Sequence, residues 1–407
     1  MICRHCRSTL EHSLVDLGAA PPSNAYLSAN QLSQSEIAYP LRVRVCSECW
    51  LVQTEDYTSA DALFTPEYAY FSSTSSSWLK HAADYTSMIT KRLNLNRNSF
   101  VIEVASNDGY LLKNFVAANI PCLGVEPTVS TANAALALNI PVVQKFFGSD
   151  LASKLCHDGQ TADLIIGNNV YAHVPDINDF TSGLAQALKP GGTITLEFPH
   201  LLNLLDHTQF DTIYHEHFSY LSLYTVGRIF AVHGLRVTDV ETLLTHGGSL
   251  RIYGCHAQDP RLDGPAVAAI LAAEEKAGLR THTPYAAFQN GVNRIKDALV
   301  SFLIDQKRAG KCVAAYGAAA KGNTLLNYAG IKSDLLSFVC DAAPYKQGKY
   351  LPGSRIPVLA PDALRAEKPD FVVILPWNIA GEVMNQVGYI REWGGRFVTA
   401  VPQLEIL

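Results

Sequence analysis

The middle of the chain alternates short apolar runs with helical stretches. Apolar runs at residues 101–105, 122–127 and 162–170 each include or precede polar side chains at their far end. Residues 188–193 are typical of a helix end, a turn and the start of another strand. Strands that alternate with helices build a parallel sheet, whose ligand-binding edge is formed by the carboxyl ends of the strands. The pattern therefore predicts a doubly wound α/β unit between about residues 80 and 200.

A second, smaller α/β unit is predicted after it. Residues 285–310 place apolar side chains at steps of three and four, which indicates the packing face of a helix. Residues 313–324 then predict a strand, a turn of small residues and a helix start. Further strands are predicted at 336–341, 371–377 and 396–400. Small residues at the turn would let a phosphate approach backbone N–H groups, although an alanine-rich helix start without a ligand has the same composition.

The turn after the first strand of the middle unit indicates which cofactor is bound. It is Ser-Asn-Asp-Gly, and the G-x-G-x-x-G fingerprint of dinucleotide sites is absent. Glu126 ends the second strand, where a carboxylate can accept hydrogen bonds from ribose hydroxyls. This turn favours S-adenosylmethionine, and the alternative is a doubly wound fold that binds another nucleotide. The predicted cofactor-binding residues are Glu103, Ala105, Asn107, Asp108, Gly109, Glu126, Asn168 and Asn169.

Four of the nine cysteines fall in two C-x-x-C pairs. Cys3 and Cys6 form the first pair, and Cys46 and Cys49 form the second. Two such knuckles match a closed, tetrahedral zinc site with four cysteine ligands, whose role is structural because no ligand position is left for a substrate. A redox C-x-x-C is the alternative, but a reducing cytosol disfavours disulfides. The five single cysteines are expected in the apolar core.

The Tyr-His-Glu-His sequence at residues 214–217 supplies candidate acid–base chemistry. An extended segment would place both histidines on one side, whereas a helix or turn would mix the faces. A metal site and a satisfied polar cluster are the alternatives to proton transfer, and histidine suits a base that works near neutral pH. Glu197 and His200 end a predicted strand at the ligand-binding rim. The polar and aromatic residues 68–78 are equally compatible with a linker and with a cover over the cofactor.

These motifs, in this order, resemble the nucleotide-sugar C-methyltransferases of deoxysugar biosynthesis, in particular the 3-C-methyltransferases that act on TDP-4-keto-deoxysugars. The resemblance rests on the paired knuckles, the cofactor core, Tyr-His-Glu-His and the Gly-Ala-x-x-Lys-Gly-Asn-Thr start of the second unit. It implies a class I S-adenosylmethionine-dependent methyltransferase core of Rossmann-like α/β fold. The implied domains are 1–65 for zinc, 66–200 for the cofactor, 201–285 for the catalytic segment and connection, and 286–407 as a Rossmann-like domain for the sugar nucleotide.

The resemblance also implies roles for individual residues. His217 is the expected base that removes a proton beside a ketone, with Glu216 orienting it or tuning its pKa. Tyr214 and Tyr68 are expected to hydrogen-bond the sugar or the enolate oxygen. The expected substrate-binding residues are Glu197, His200, His246, Arg251, Lys321 and Asn323, the last two for a diphosphate. One departure is Ala105, where methyltransferases usually carry glycine, and alanine fits if it keeps a negative φ.

Length and composition narrow the class of protein. The 407 residues exceed a single core of roughly 250–300 residues, so several domains are expected. A net charge of −5 argues against a nucleic-acid surface, and no apolar run reaches the ~18–20 residues of a membrane span. We expect a soluble, cytoplasmic monomer or weak homo-oligomer that binds a small molecule and neither nucleic acid nor membrane. The open alternatives are a nicotinamide-dependent sugar-nucleotide oxidoreductase, a C5-methyltransferase of the same family and a zinc-ribbon nucleic-acid adaptor.

Overall fold

The computed structural model describes residues 1–57 and 71–407, so Tyr68 lies outside the described residues. The described strands form three sheets. In chain order the strands are β1 His12–Ala20, β2 Tyr39–Val45, β3 Val52–Thr54, β4 Val101–Val104, β5 Cys122–Val125, β6 Val142–Val143, β7 Ala162–Asn168, β8 Leu188–Pro199, β9 Ser219–Tyr220, β10 Leu235–Leu243, β11 Ser249–His256, β12 Val313–Tyr316, β13 Val339–Cys340, β14 Val358–Leu359, β15 Phe371–Ile374, β16 Arg396–Thr399 and β17 Glu405–Ile406.

The helices lie between these strands and cover the sheets. In chain order the described α-helices are α1 Ser76–Leu93, α2 Leu112–Ala117, α3 Val129–Ala137, α4 Ser149–His157, α5 Ile177–Ala187, α6 Leu201–Asp206, α7 Leu223–Val232, α8 Pro265–Lys276, α9 Thr283–Arg308, α10 Ala320–Tyr328, α11 Ala363–Glu367 and α12 Ala380–Gln386. Short 3-10 segments connect several of them, at Ala29–Ser33, Ser72–Thr74, Tyr171–His173, Phe210–Thr212, Thr245–Gly247, Trp377–Ile379 and Gly388–Trp393.

The central sheet has the strand order β6-β5-β4-β7-β8-β11-β10. Strands β4 to β8 pair in parallel, whereas β11 runs antiparallel to both of its neighbours. Val101 joins one apolar cluster and Ile102 another, because successive side chains of a strand point to opposite faces and each face is covered. This confirms the predicted doubly wound unit. The carboxyl ends of β4, β5, β7 and β8 therefore meet at one edge.

The C-terminal sheet has the order β14-β13-β12-β15-β16-β17, parallel except for β17. It confirms the predicted second α/β unit, although the strand expected at 336–341 is only β13. Phe288, Val292 and Leu299 of α9 are buried, as the helical period predicts. Strand order reverses on the two sides of β12, and a crevice at such a point is where open α/β sheets bind ligands.

The N-terminal sheet is antiparallel, with the order β1-β2-β3-β9. Its edge strand β9 directly follows Tyr-His-Glu-His, so a distant part of the chain completes the unit that carries the cysteine knuckles. One apolar cluster contains Val43 of β2, Leu204 of α6, Val292 of α9 and Val373 of β15. The N-terminal unit, the connection and the C-terminal unit therefore share a core.

The single cysteines follow their prediction only in part. Cys122, Cys255 and Cys340 are buried in the apolar interior. Cys156 and Cys312 are half-buried, because each lies near the end of an element where one side of the backbone is open to solvent.

Candidate active site

The turn after β4 has an unusual backbone. Ala105, Asn107 and Gly109 all have positive φ, at 57°, 50° and 77°. The condition that Ala105 keep a negative φ is not met, and a left-handed alanine costs the fold about 1 kcal/mol relative to glycine. Such a cost is typical of functional sites, where surrounding contacts hold a strained backbone in place.

The acidic side chains at the carboxyl ends of β4 and β5 interact with the neighbouring turn and with one another. The Glu126 carboxylate accepts the backbone N–H groups of Asn107 at 3.0 Å and Thr128 at 2.9 Å, which fixes the carboxylate at the end of β5. Glu103 of β4 is fully buried, and burial raises its pKa well above 4.5, with a smaller contribution from Asp108. The turn therefore collects three acids around one small volume.

The polar segment upstream of α1 packs directly on this turn. Ser72 donates its backbone N–H to Asn107 Oδ1 at 2.9 Å, and Ser73 donates to Asp108 Oδ2 at 3.1 Å. Trp78 follows, and its ring stacks on Tyr110 with the ring centroids 6.0 Å apart. Of the two predictions for residues 68–78, the described part fits the cover over the cofactor edge.

Several buried polar atoms at this edge have no hydrogen-bond partner among the described residues. They are Glu103 Oε2, Ser106 Oγ, Asp108 Oδ1, Asn168 Nδ2 and Asn168 Oδ1. A buried polar group without a partner is costly, so its retention indicates a ligand that satisfies it. Carboxylates, amides and a hydroxyl suit the ribose hydroxyls, amino group and adenine of S-adenosylmethionine, so the residues present fit this cofactor.

His217 is buried in a defined orientation. Its Nδ1 lies 2.8 Å from the carbonyl oxygen of Thr212. A carbonyl can only accept, so Nδ1 carries the proton and Nε2 keeps its lone pair. Burial lowers the pKa of His217 well below 6.5, and the neighbouring His173 lowers it further. The ring is therefore a neutral imidazole that presents a basic nitrogen.

A tyrosine and a second histidine pack against His217. The ring centroids of Tyr214 and His217 are 4.0 Å apart, and those of His173 and His217 are 4.5 Å apart. Burial lowers the pKa of His173 to about 4. His173 escaped the sequence analysis, although it is the histidine that follows the polar tip of β7 and so lies at the ligand-binding edge.

Glu216 does not take the position expected of it, and the segment adopts the turn, one of the two geometries left open for His215. Asn24 of the N-terminal unit donates to Glu216 Oε1 at 3.2 Å, and the other Glu216 oxygen has no partner in the described part of the chain. His217 is oriented by a backbone carbonyl instead, so the expectation that Glu216 orients it is wrong. His215 Nε2 lies 3.2 Å from the Tyr39 carbonyl oxygen, because the segment turns and sends the two histidines in different directions.

The Glu216 carboxylate titrates unusually. Burial raises the pKa of Glu216 to about 7, and the hydrogen bond from Asn24 only partly opposes this. A carboxyl group with such a pKa exchanges protons near neutrality, as catalytic carboxyls do.

The opposite wall of the site comes from the C-terminal unit. Lys321 Nζ donates to Asn378 Oδ1 at 2.7 Å and lies 4.8 Å from the Trp377 ring centroid. Trp377 Nε1 donates to Asp211 Oδ2 at 2.7 Å. Burial raises the pKa of Asp211 to about 6 and lowers the pKa of Lys321, and each charge favours ionisation of the other.

The turn between β10 and β11 closes the site between these walls. His246 has a φ of 54°, and its Nε2 lies 3.1 Å from Asn169 Nδ2. Gly247 lies against Trp377, and a Cβ at this glycine would be 2.5 Å from the indole. The turn therefore connects the cofactor edge to the C-terminal unit.

Several of the predicted substrate-binding residues have buried internal partners. His200 Nε2 lies 2.7 Å from Glu274 Oε1, and Asn323 Nδ2 donates to the Ser23 carbonyl at 2.6 Å. Arg251 donates to Glu197 Oε2 at 3.0 Å, and this carboxylate also accepts Thr245 Oγ1 at 2.9 Å. Burial by itself would raise the pKa of Glu197, but its polar and charged neighbours lower the pKa below 4.5. The largest of these effects is the hydrogen bond with His81, whose Nε2 lies 2.9 Å from the carboxylate.

The four paired cysteines converge on one point. Their sulfur atoms all lie within 4.8 Å of one another, and the Cys3–Cys49 and Cys6–Cys46 sulfur distances are both 3.5 Å. Four sulfurs around a tetrahedral zinc ion are about 3.8 Å apart, since each Zn–S bond is about 2.3 Å.

The two knuckles have the same backbone geometry. Arg7 donates its N–H to the Cys3 carbonyl at 3.1 Å, and Trp50 donates to the Cys46 carbonyl at 3.0 Å. Arg7 and Trp50, each one residue past its pair, both have positive φ. The repeated geometry turns each cysteine pair toward the same ion, so the residues fit structural zinc.

Family models match the three parts of the chain in order. Residues 3–64 match the model described as "Putative zinc binding domain", and residues 78–240 match a methyltransferase domain. Residues 244–402 match a C-methyltransferase C-terminal domain.

Individual proteins also match. C-methyltransferase NovU of Streptomyces niveus is 33% identical over 405 residues, which cover 100% of this chain and 96% of NovU. The PH0226 protein of Pyrococcus horikoshii OT3 is 14% identical and covers 49% of this chain and 100% of its own, with a TM-score of 0.38. A magnesium protoporphyrin IX methyltransferase from Synechocystis PCC 6803 with bound SAM is 13% identical and covers 43% of this chain and 78% of its own, with a TM-score of 0.33. None of the helices in residues 1–57 and 71–407 has the length and apolar character of a transmembrane span.

Proposed function

Given that this chain belongs to the C-methyltransferase family that includes NovU, we propose that it methylates a carbon of a nucleotide-linked keto sugar. The substrate we propose is a TDP-4-keto-deoxysugar, methylated at C3 beside the ketone. The observation that carries the proposal is the buried, neutral His217, whose Nε2 faces away from its Thr212 anchor. A base of this kind is what a C-methyltransferase needs and an O-methyltransferase acting on an acidic hydroxyl does not.

The bound S-adenosylmethionine supplies an electrophilic methyl group on a sulfonium. The carbon that receives it must first lose a proton, and a neighbouring ketone makes this proton acidic. In our proposal His217 Nε2 takes the proton, and the charge moves onto the ketone oxygen as an enolate. Low exposure of His217 keeps water from competing for the base.

The enolate oxygen must be stabilised by a hydrogen-bond donor that lies near His217. The Tyr214 ring packs against His217 and is half-buried, so its hydroxyl is our proposed donor to this oxygen. Glu216, whose pKa is raised to about 7, is proposed to exchange protons with the site during turnover. Tyr68 remains a proposed second donor.

The sugar nucleotide is proposed to lie between the base segment and the C-terminal unit. Lys321 is the cation of this wall and is our proposed diphosphate contact. Asn323 is proposed to act indirectly, because its amide holds the Ser23 backbone of the N-terminal unit. Glu197 and Arg251 are proposed to hold the turn that carries His246, through the Glu197–Thr245 hydrogen bond. His200 is proposed to stabilise the fold together with Glu274.

The proposed division of labour follows the domains expected from the sequence. Residues 1–65 hold zinc, 66–200 bind the methyl donor, 201–285 carry the catalytic segment, and 286–407 hold the sugar nucleotide. The proposal is supported by the proximity of Lys321 to Asp211 and His217, since the Lys321 charge lowers the pKa of both groups.

A nicotinamide-dependent oxidoreductase would need a dinucleotide site in the C-terminal unit. Asp341 follows β13, where such sites place the acid that binds the ribose. Its carboxylate already accepts the Ala318 N–H at 2.7 Å and the Ala343 N–H at 2.8 Å, and Lys346 Nζ lies 3.3 Å away. These internal contacts favour the methyltransferase proposal over the oxidoreductase.

The test is methyl transfer to TDP-, UDP- and GDP-linked 4-keto-deoxysugars with labelled S-adenosylmethionine. We expect one added methyl group on the TDP-linked substrate, and NMR of the product distinguishes C3 from C5. The matched variant is His217→Asn, in which the side-chain amide can still donate to Thr212 but no Nε2 base is present. Absence of any methylated product, or absorbance change at 340 nm with NAD(P)H, would overturn the proposal.

A further inference from the structure

The loop between the first two zinc cysteines reaches into the neighbourhood of the base. Arg4 lies between Cys3 and Cys6, and its guanidinium is buried, with only 6% of the side chain exposed. Arg4 Nη1 donates to the Pro175 carbonyl at 2.9 Å, and Nη2 donates to the Thr54 carbonyl at 2.9 Å. Nη2 also pairs with Asp56 Oδ1 at 2.9 Å. One side chain of the zinc knuckle therefore connects two other parts of the molecule.

Both of these parts adjoin the histidines of the active site. The Arg4 guanidinium lies 5.3 Å from the ring centroid of Phe218, the residue after His217. Pro175 is two residues beyond His173, whose ring packs on His217. Arg4 thus bonds the backbone two residues beyond His173 and packs on the side chain that follows His217.

Strand β3 provides a second connection between the cysteines and the base. Gln53 Nε2 donates to Cys3 Sγ at 3.3 Å, and Gln53 Oε1 accepts the Arg4 N–H at 2.9 Å. The next residue, Thr54, donates its hydroxyl to the His217 carbonyl at 3.0 Å. Gln53 itself pairs with Ser219 in the β3–β9 ladder. A cysteine ligand, the strand and the base segment therefore form one continuous hydrogen-bonded path.

From these contacts we infer that Arg4 is a positioning residue for His217, and that the zinc-binding unit aligns the base as well as stabilising the fold. The inference rests on the proposed function, in which His217 is the base. A guanidinium suits this role because its planar fork donates in several fixed directions at once, which an ammonium group cannot do. The cysteine spacing alone predicts only a structural role for the zinc site.

The experiment compares Arg4→Met with Arg7→Met, both prepared with zinc. Arg7 lies in the same knuckle and is exposed, so its variant removes the same charge next to the same cysteines without touching the base segment. Thr54→Val is the second variant, because it removes the hydroxyl donor to the His217 carbonyl and preserves side-chain volume. For each protein we measure zinc content, thermal stability, methyl-transfer kinetics and the Nδ1–H resonance of His217 in 15N-histidine-labelled protein.

We expect Arg4→Met to bind one zinc ion and to shift or broaden the His217 Nδ1–H resonance, which is assigned by its loss in His217→Asn. Its kcat falls about tenfold or more, since small misplacements of a catalytic group have effects of this size. Thr54→Val shows the same changes to a smaller extent, and Arg7→Met matches the unmodified protein.

The NMR measurement requires no substrate, so it tests the positioning role even if the proposed substrate is wrong. An unchanged His217 resonance in both folded, zinc-loaded Arg4→Met and Thr54→Val would overturn the inference. An Arg7→Met variant that shifts the resonance as far as Arg4→Met would also overturn it, because the effect would then come from loss of charge near zinc.

Discussion

Replacing Glu216 with glutamine should make the protein more stable, by an amount that depends on pH. Glu216 is buried, and the pKa of its carboxyl is raised from 4.5 to about 7. Each tenfold change in an acid dissociation constant is worth about 1.4 kcal/mol, so the ionised carboxylate costs the native state about 3 kcal/mol above pH 7. Glutamine has nearly the same shape, carries no charge and can still accept the hydrogen bond from Asn24.

The direction in which the stability difference changes with pH follows from proton binding. Between pH 4.5 and 7 the native protein keeps a proton on Glu216 that the unfolded chain has released. The native state of the unmodified protein is therefore penalised increasingly as the pH rises through this range, and the penalty is constant above pH 7. The stability difference between Glu216→Gln and the unmodified protein should rise from pH 4.5 to 7 and then level off.

The assay is thermal unfolding of both proteins at a series of pH values. An unfolding entropy of about 2 cal/mol/K per residue, applied to the whole chain, converts about 3 kcal/mol into a Tm difference of about 4 °C. The control is Glu392→Gln, because Glu392 is exposed and its replacement makes the same chemical change without removing a buried carboxyl group. A Glu216→Gln difference that is constant from pH 5 to 8 would refute the reasoning, since a constant offset reflects packing and not ionisation.

Four further predictions concern the base, the cofactor edge and the metal. His217→Asn should lower methyl-transfer kcat by about 10²–10⁴-fold and leave the affinity for S-adenosylhomocysteine unchanged by calorimetry, whereas equal turnover would disprove the base assignment. Because the pKa of His217 is well below 6.5, kcat of Glu216→Gln, which lacks the carboxyl group with a pKa of about 7, should not fall as the pH is lowered from 8 to 6.5. Asn168→Ala should weaken S-adenosylhomocysteine binding about tenfold with little change in Tm, since the buried amide has no protein partner among the described residues to lose. Cys46→Ser should abolish the one zinc ion per chain found by metal analysis and lower the Tm, and a metal-free unmodified protein of the same Tm would contradict this.

The fold was predictable where apolar periodicity extends over a whole element. The buried runs of β4, β5 and β7 and the apolar face of α9 are of this kind. Strand β9 has two residues and no period, so only its pairing with β3 identifies it. The backbone of Ala105 was also beyond prediction, because its left-handed φ depends on the contacts around the turn.

The sequence indicated which residues form the candidate site, but it did not indicate which hydrogen-bond partners they have. The four paired cysteines and His217 could be selected from spacing and resemblance. The partners of Glu216 and His217 could not, because Asn24 comes from a distant part of the chain and Thr212 contributes only a backbone carbonyl. Arg4 has no local feature that distinguishes it from Arg7, and only tertiary contacts separate the buried arginine from the exposed one.

The pairing of β3 with β9 also constrains the order of folding. Gln53 lies beside Ser219, so the N-terminal sheet lacks an edge strand until the ribosome has synthesised the parallel strands β4 to β8 of the central sheet. The four paired cysteines are made long before that point, and zinc can close their loop early. Strands β4 to β8 are closer together in sequence than β3 and β9 are. Bringing them together therefore costs less loop-closure entropy than pairing β3 with β9. The first part of the chain to be synthesised is therefore among the last to be completed.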